Sequence, residues 1–281
     1  MLLLALDTST RQASIALCSE ETLYGEYTWH VSNNHSVELL ENIQHMLAEC
    51  HIAMEQLDAI AVATGPGSFN GVRVALATAK ALAFALKKPL IGVSTLDCTA
   101  AQQQHWQGPV CAMLDAGRSE LYLACYLFAQ VHEEGKEIGE MSYQMLQLSD
   151  YLLLNPQQIA EYVQEQANTW VGVPGERQLP PFLFCGEMSA TSRQALQTLM
   201  QEQGLFASSV QSTRHAAVLA MLALQRLHEG KEDDPLLLEP LYLRRPSITT
   251  STRKQPLLGD KAQRPTTGQS QTEREEGALR H

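Results

Sequence analysis

The chain has 281 residues, with 20 basic and 31 acidic side chains and a net charge of -11. It is long enough for two ordinary domains with real cores. That acidity excludes a protein that grips nucleic acid unaided, because neutralising phosphates takes clustered Lys and Arg. The six cysteines are scattered without a CxxC pair. This excludes a zinc ribbon, a thioredoxin-like motif and a secreted disulfide scaffold, and it predicts reduced thiols in a cytoplasmic protein.

Residues 2–6 form an apolar run that ends at Asp7-Thr8-Ser9-Thr10, and 13–18 and 23–29 alternate, predicting a three-stranded meander. No basic or long apolar leader precedes the first strand, so no signal peptide is expected. Residues 32–50 predict a helix with Val37, Leu40, Ile43, Leu47 and Cys50 on one face. A buried strand over 57–63 leads into the glycine turn at 65–71. From 72 to 86 only Arg73, Thr78 and Lys80 interrupt apolar residues, and Lys87-Lys88-Pro89 closes the helix with cations and a proline. The next strand is 90–93, after which Ser94 or Thr95 caps a short helix near residue 100. No apolar run reaches the roughly 20 uncharged residues of a membrane span.

After Gly108-Pro109 the pattern restarts. Strands are predicted at 110–114, 120–128 and around 141–148, then a helix at 156–167, a strand at 182–185 and helices at 190–203 and 214–229. Strand blocks followed by helices recur in both halves, so element order predicts two related α/β lobes without visible sequence repetition. The expected organisation is an N-terminal lobe over 1–105 completed by 212–245, a C-terminal lobe over 106–211, and a tail over 246–281. The tail is polar, with 6 basic and 4 acidic residues, and its composition predicts disorder.

The glycine turn resembles a phosphate loop, but a P-loop needs GxxxxGK[ST], and here Asn70 stands at the sixth position and Val72-Arg73 follows Gly71. The dinucleotide pattern GxGxxG fails too, with Asn70 at the third glycine. The glycines are better read as a tight entry into a closely packed helix. That helix is apolar almost all round, with alanines at 75, 77, 79, 81, 83 and 85. It needs a cover on more than one side, either the interior of its own domain or a partner's helices. His30 and His35 straddle a loop and a helix start, without an HExxH, and no GxSxG elbow is present.

Asp7-Thr8-Ser9-Thr10 is similar to the DxGT phosphate turn of the actin, sugar kinase and Hsp70 superfamily, with Ser9 where glycine lets backbone approach phosphate. Asp115-Ala116-Gly117-Arg118 is a degraded version at the same place in the second half. In order, LLALDTST, Asn34-His35-Ser36, GPGSFNGVRVALATAKALAFALKKPLIGVSTLD, MLDAGRSELYLACY and EPLYLRRP resemble the TsaB (YeaZ) family, related to the TsaD/glycopeptidase-like family. This family belongs to the machinery that makes threonylcarbamoyladenosine at position 37 of tRNA. The matches reach about Arg245. The most specific is GPGSFxGVR with GVSTL; Asn70 replaces the usual Thr, and Gly117 a frequent Arg.

The resemblance implies an α/β fold: a two-lobed actin-like ATPase, ribonuclease H-like, each lobe a mixed sheet flanked by helices. It implies a non-catalytic subunit without catalytic or metal residues, beside a TsaD-like catalytic subunit and a TsaE-like ATPase. It further implies self-pairing as a homodimer when TsaD is absent, only indirect contact with tRNA, no membrane, and a cytoplasmic location. The expected partner interface is His35, Val37, Leu40, Phe69, Val72, Arg73, Leu76, Ala79 and Lys80. No cofactor is expected to be tightly bound, with ATP or ADP the candidate at the interface of the complex. Two competing readings are an active ATPase or small-molecule kinase, which Ser9 disfavours, and a metallopeptidase, whose histidines are missing.

Overall fold

The computed structural model describes residues 1–31, 35–131, 142–167, 170 and 181–244. The tail expected at 246–281 lies outside them. The first half is built from β1 (Leu3–Asp7), β2 (Gln12–Cys18), β3 (Leu23–His30), α1 (His35–Glu49), β4 (Ala59–Ala63), α2 (Phe69–Leu86), β5 (Leu90–Val93) and α3 (Thr95–Ala101). The second half is β6 (Val110–Gly117), β7 (Glu120–Val131), β8 (Ser142–Gln147), β9 (Leu152–Leu154), α4 (Pro156–Gln166), β10 (Phe182–Glu187), α5 (Ala190–Met200), β11 (Gly204–Phe206) and α6 (Ala216–His228).

The duplication expected from element order is visible as topology. The first sheet runs β3-β2-β1-β4-β5 and the second β8-β7-β6-β10-β11. Leaving aside β9, which pairs antiparallel with β7 off this path, the first strand of each sheet pairs antiparallel with the second and parallel with the fourth, the fifth pairs parallel with the fourth, and the third antiparallel with the second. This is the doubled ribonuclease H-like arrangement of an actin-like fold.

Alternation along the strands sets the layers. Leu4, Leu6, Ile60 and Val62 face α1 and α2, which pack on them through Leu39, Ile43, Met46, Ala75, Leu76 and Ala79. Leu3, Ala5, Ala59 and Ala61 point the other way, against Leu219, Ala220 and Ala223 of α6. In the second sheet Met113, Leu121 and Leu123 face Ile159 and Val163 of α4 and Leu196 of α5. Its opposite face meets Leu96 and Ala100 of α3. The closing helices are therefore exchanged: α3 follows the first sheet but covers the second, and α6 follows the second but covers the first.

Several boundaries differ from the sequence expectation. The helix expected over 190–203 ends at Met200, because Gln201 takes φ 47° and a 3-10 turn follows over Gln201–Gln203. β9 and β11 were not anticipated; three residues each is too short for a period to register. α2, at 18 residues and a mean hydropathy of 1.3, is long and apolar enough by composition to cross a membrane. One side of it packs on the first sheet.

Candidate functional site

Two places concentrate chemistry-bearing residues: the turn after β1 and the outer side of α1 and α2. The turn is closed. Asp7 is 2% exposed, and Thr8 and Ser9 are fully buried. One carboxylate oxygen of Asp7 accepts from the Ser9 amide at 2.8 Å and from the Ser9 hydroxyl; the other accepts from Arg214 Nε at 2.8 Å. The rest of the turn is used by the loop into α2. Ser68 N donates to Ser9 O at 2.6 Å, and Thr8 Oγ1 donates to Gly71 O at 2.6 Å. A Cβ at Gly67 or Gly71 would overlap the carbonyl oxygens of Ser9 and Thr8, so only glycine permits this approach. The glycines of GPGSFNG thus serve packing against a neighbouring turn, and Ser68 caps the helix by accepting from Gly71 N.

Arg214 is the residue that sequence reading missed. Its side chain is 1% exposed and lies between the two sheets. Nε donates to Asp7, Nη1 to Glu187 at the end of β10, and Nη2 to Thr10 Oγ1 at 2.9 Å and to Gln12 O at 2.8 Å. Burial alone would pull its pKa down; Asp7 and Glu187 more than offset this and hold it raised. The only local signal is an arginine two residues before an apolar helix; its partner Asp7 is 207 positions away.

Beside this cluster opens a cleft of about 560 Å³, lined in part by Arg11, Trp29 and His30 on one side and Asp115, Met188 and Arg193 on the other. Asp115 is exposed and its carboxylate accepts from Gly117 N at 2.7 Å. Arg193 is engaged with the carbonyls of Phe206 and Ala207. A second, larger cleft of about 990 Å³ contains Asp97 of α3. Asp97 accepts from Tyr126 at 2.7 Å and Tyr151 at 2.9 Å, and burial raises its pKa against the lowering effect of those bonds. Among the described residues, no group of three or more His, Cys, Asp or Glu is placed to hold a metal ion.

The outer side of α2 presents Phe69, Arg73, Ala77, Ala81 and Phe84, with Phe84 80% exposed, while Val37 and Leu40 are exposed on α1. The Arg73 guanidinium lies 4.5 Å over the Phe69 ring, and Tyr242 packs on the same ring at 5.3 Å. Of the expected interface residues, Val37, Leu40, Phe69 and Arg73 fall on this open side and Lys80 is half-buried. Val72, Leu76 and Ala79 do not: they are buried, Leu76 and Ala79 against the first sheet. The correction follows from helical period. An all-round apolar helix still has an inner face, and these three share it with Ala75 and Ala83. The side chain of His35 lies outside the described residues.

A family model described as TsaD, tRNA N6-adenosine threonylcarbamoyltransferase, matches residues 29–251. The tRNA threonylcarbamoyladenosine biosynthesis protein TsaB of Bacillus subtilis (strain 168) is 30% identical over 244 residues, 87% of this chain and 94% of its own. TsaB of Escherichia coli (strain K12) is 30% identical over 247 residues, 87% and 95% of the two chains. Among solved structures, YeaZ from Pseudomonas aeruginosa superposes with a TM-score of 0.63 at 28% identity, covering 86% of this chain and 99% of its own.

Proposed function

The chain belongs to the TsaB family of tRNA threonylcarbamoyladenosine biosynthesis proteins, and from that premise we propose that it is a non-catalytic dimerisation and activation subunit. It would serve, in the cytoplasm, the complex that transfers a threonylcarbamoyl group to adenosine 37 of tRNAs reading ANN codons. A TsaD-like partner performs the transfer and a TsaE-like ATPase joins them. This chain contributes a docking face, and tRNA is held by its partners, as its net charge of -11 suggests.

The observation that carries this reading is the open side of α2. Phe69, Ala77, Ala81 and Phe84 form an apolar stripe with Arg73 on the exposed side of α2, and Val37 and Leu40 are exposed on the neighbouring α1. Alanines let another helix approach closely, and Phe84 supplies a large anchor. The same face serves self-association when the partner is absent, in competition with it. The ATPase reading is disfavoured by the turn itself: its carboxylate is committed to Arg214 and its backbone is covered by the loop before α2. ATP or ADP remains a candidate only at the interface of the complex.

Ala77→Glu and Ala81→Glu place charge on the open stripe without touching the sheet. Each should abolish co-elution with the TsaD-like subunit while circular dichroism and unfolding stay as in the wild type. Co-elution unchanged in both would refute the docking face.

A further inference from the structure

The Asp7 turn is a junction of three parts of the molecule. From the second sheet, Glu187 reaches it through Arg214 Nη1, and Glu187 Oε1 also accepts from Thr10 Oγ1 at 3.2 Å. From α3, Thr95 Oγ1 donates to Ser9 Oγ at 2.9 Å. Toward α2, Ser9 O and Thr8 Oγ1 hold Ser68 N and Gly71 O, the first residues of the helix. Four of the five N–H groups of Arg214 are used, on two separate segments, the β1–β2 hairpin and the end of β10. A buried guanidinium so engaged has few alternative geometries, because moving it away from Asp7 would leave a buried carboxylate unpaired.

We infer that Arg214 is a positioning residue that ties the second sheet to the entry of α2, by joining Glu187 of β10 to the turn that holds Ser68 and Gly71. Its donors engage the Asp7 carboxylate, the Thr10 hydroxyl and the Gln12 carbonyl together with Glu187, and make the turn a fixed link. The arrangement of the two sheets and the setting of α2 then become one mechanical unit. Only the part about partner binding rests on the docking reading; the link itself does not.

The test uses the full chain and the variant Glu187→Ala, which removes the acceptor of both Arg214 and Thr10, so cutting the arm to the second sheet, and leaves the buried Arg214–Asp7 pair in place. Hydrogen exchange is followed at residues 68–72, 182–187 and, as a control inside the first sheet, 59–63. The expected result is at least tenfold faster exchange at 68–72 and 182–187, with 59–63 unchanged and unfolding still cooperative. Exchange at 68–72 that stays at the wild-type rate, or rises equally in all three segments, overturns the inference. Thr8→Val cuts the last bond of the chain of contacts. It should accelerate exchange at 68–72 but add little to Glu187→Ala in the double variant, whereas fully additive effects would contradict a single link. Affinity for the TsaD-like subunit is measured in the same variants and is expected to fall with the exchange. Faster exchange at unchanged affinity would support the link and count against α2 as the docking element.

Discussion

The turns after the first strand of each half begin alike and end differently. In both, an aspartate accepts a hydrogen bond from the amide two residues on, Ser9 N to Asp7 at 2.8 Å and Gly117 N to Asp115 at 2.7 Å. Asp7 is then sealed by Arg214 and the loop before α2, whereas Asp115 stands exposed at the mouth of a cleft. The same local chemistry has become structure in one half and stayed a surface hairpin in the other. What separates them is tertiary: the first turn has Gly67, Gly71 and Arg214 brought against it, and a Cβ at Gly117 would meet nothing within 4 Å.

The largest effect should come from breaking the sealed turn. Arg214→Met leaves Asp7 buried without its counter-charge and should cost about 3–5 kcal/mol in denaturant unfolding. Asp115→Ala, cutting only an exposed bond, should cost about 1 kcal/mol or less. Equal losses would erase the distinction between the two turns. Next, Gly71→Ala forces a Cβ into the Thr8 carbonyl and should cost about 1–3 kcal/mol by overpacking. Gly117→Ala should cost about 1 kcal/mol or less, from its φ of 70° alone.

Much of this was legible in the sequence, for physical reasons that also mark the limit. Strands β1, β4 and β5 are continuous apolar runs because both faces are covered, and their signal needs no context. The α2 entry was readable as a close approach, because glycines that fit no phosphate register must serve packing. Which alanines of α2 face inward was not readable, since apolar residues on all sides erase the moment that would orient the helix. The Arg214 cluster was invisible for another reason. Its members Asp7, Thr10, Gln12, Glu187 and Arg214 are scattered along the chain, and no local pattern encodes a pairing of that separation.

A smaller effect calibrates burial in a third acid. Asp97 has a raised pKa from desolvation, so the folded chain keeps that proton to higher pH than the unfolded chain does. The folded state binds more protons, and stability therefore falls as pH rises from the usual aspartate value through the folded one. Asp97→Asn retains an acceptor for Tyr126 and Tyr151 and should unfold at a higher temperature than the wild type at pH 7. The gap should close below the usual aspartate pKa. A destabilised Asp97→Asn at pH 7 would show that the charged form is the one the site favours. The smallest effect is an absence of heat: titration of Mg-ATP into the isolated chain should give no micromolar binding, because the carboxylate of the sealed turn is committed to Ser9 and Arg214.

Reconstitution tests the central claim most directly. The chain, a TsaD-like subunit and a TsaE-like ATPase are supplied with threonylcarbamoyl-adenylate and tRNA, and modified adenosine is counted with each component omitted in turn. The account predicts no transfer by this chain alone, transfer by the full set, and loss of transfer when this chain is omitted or carries Ala81→Glu. Transfer by this chain alone, or full transfer without it, would contradict the account.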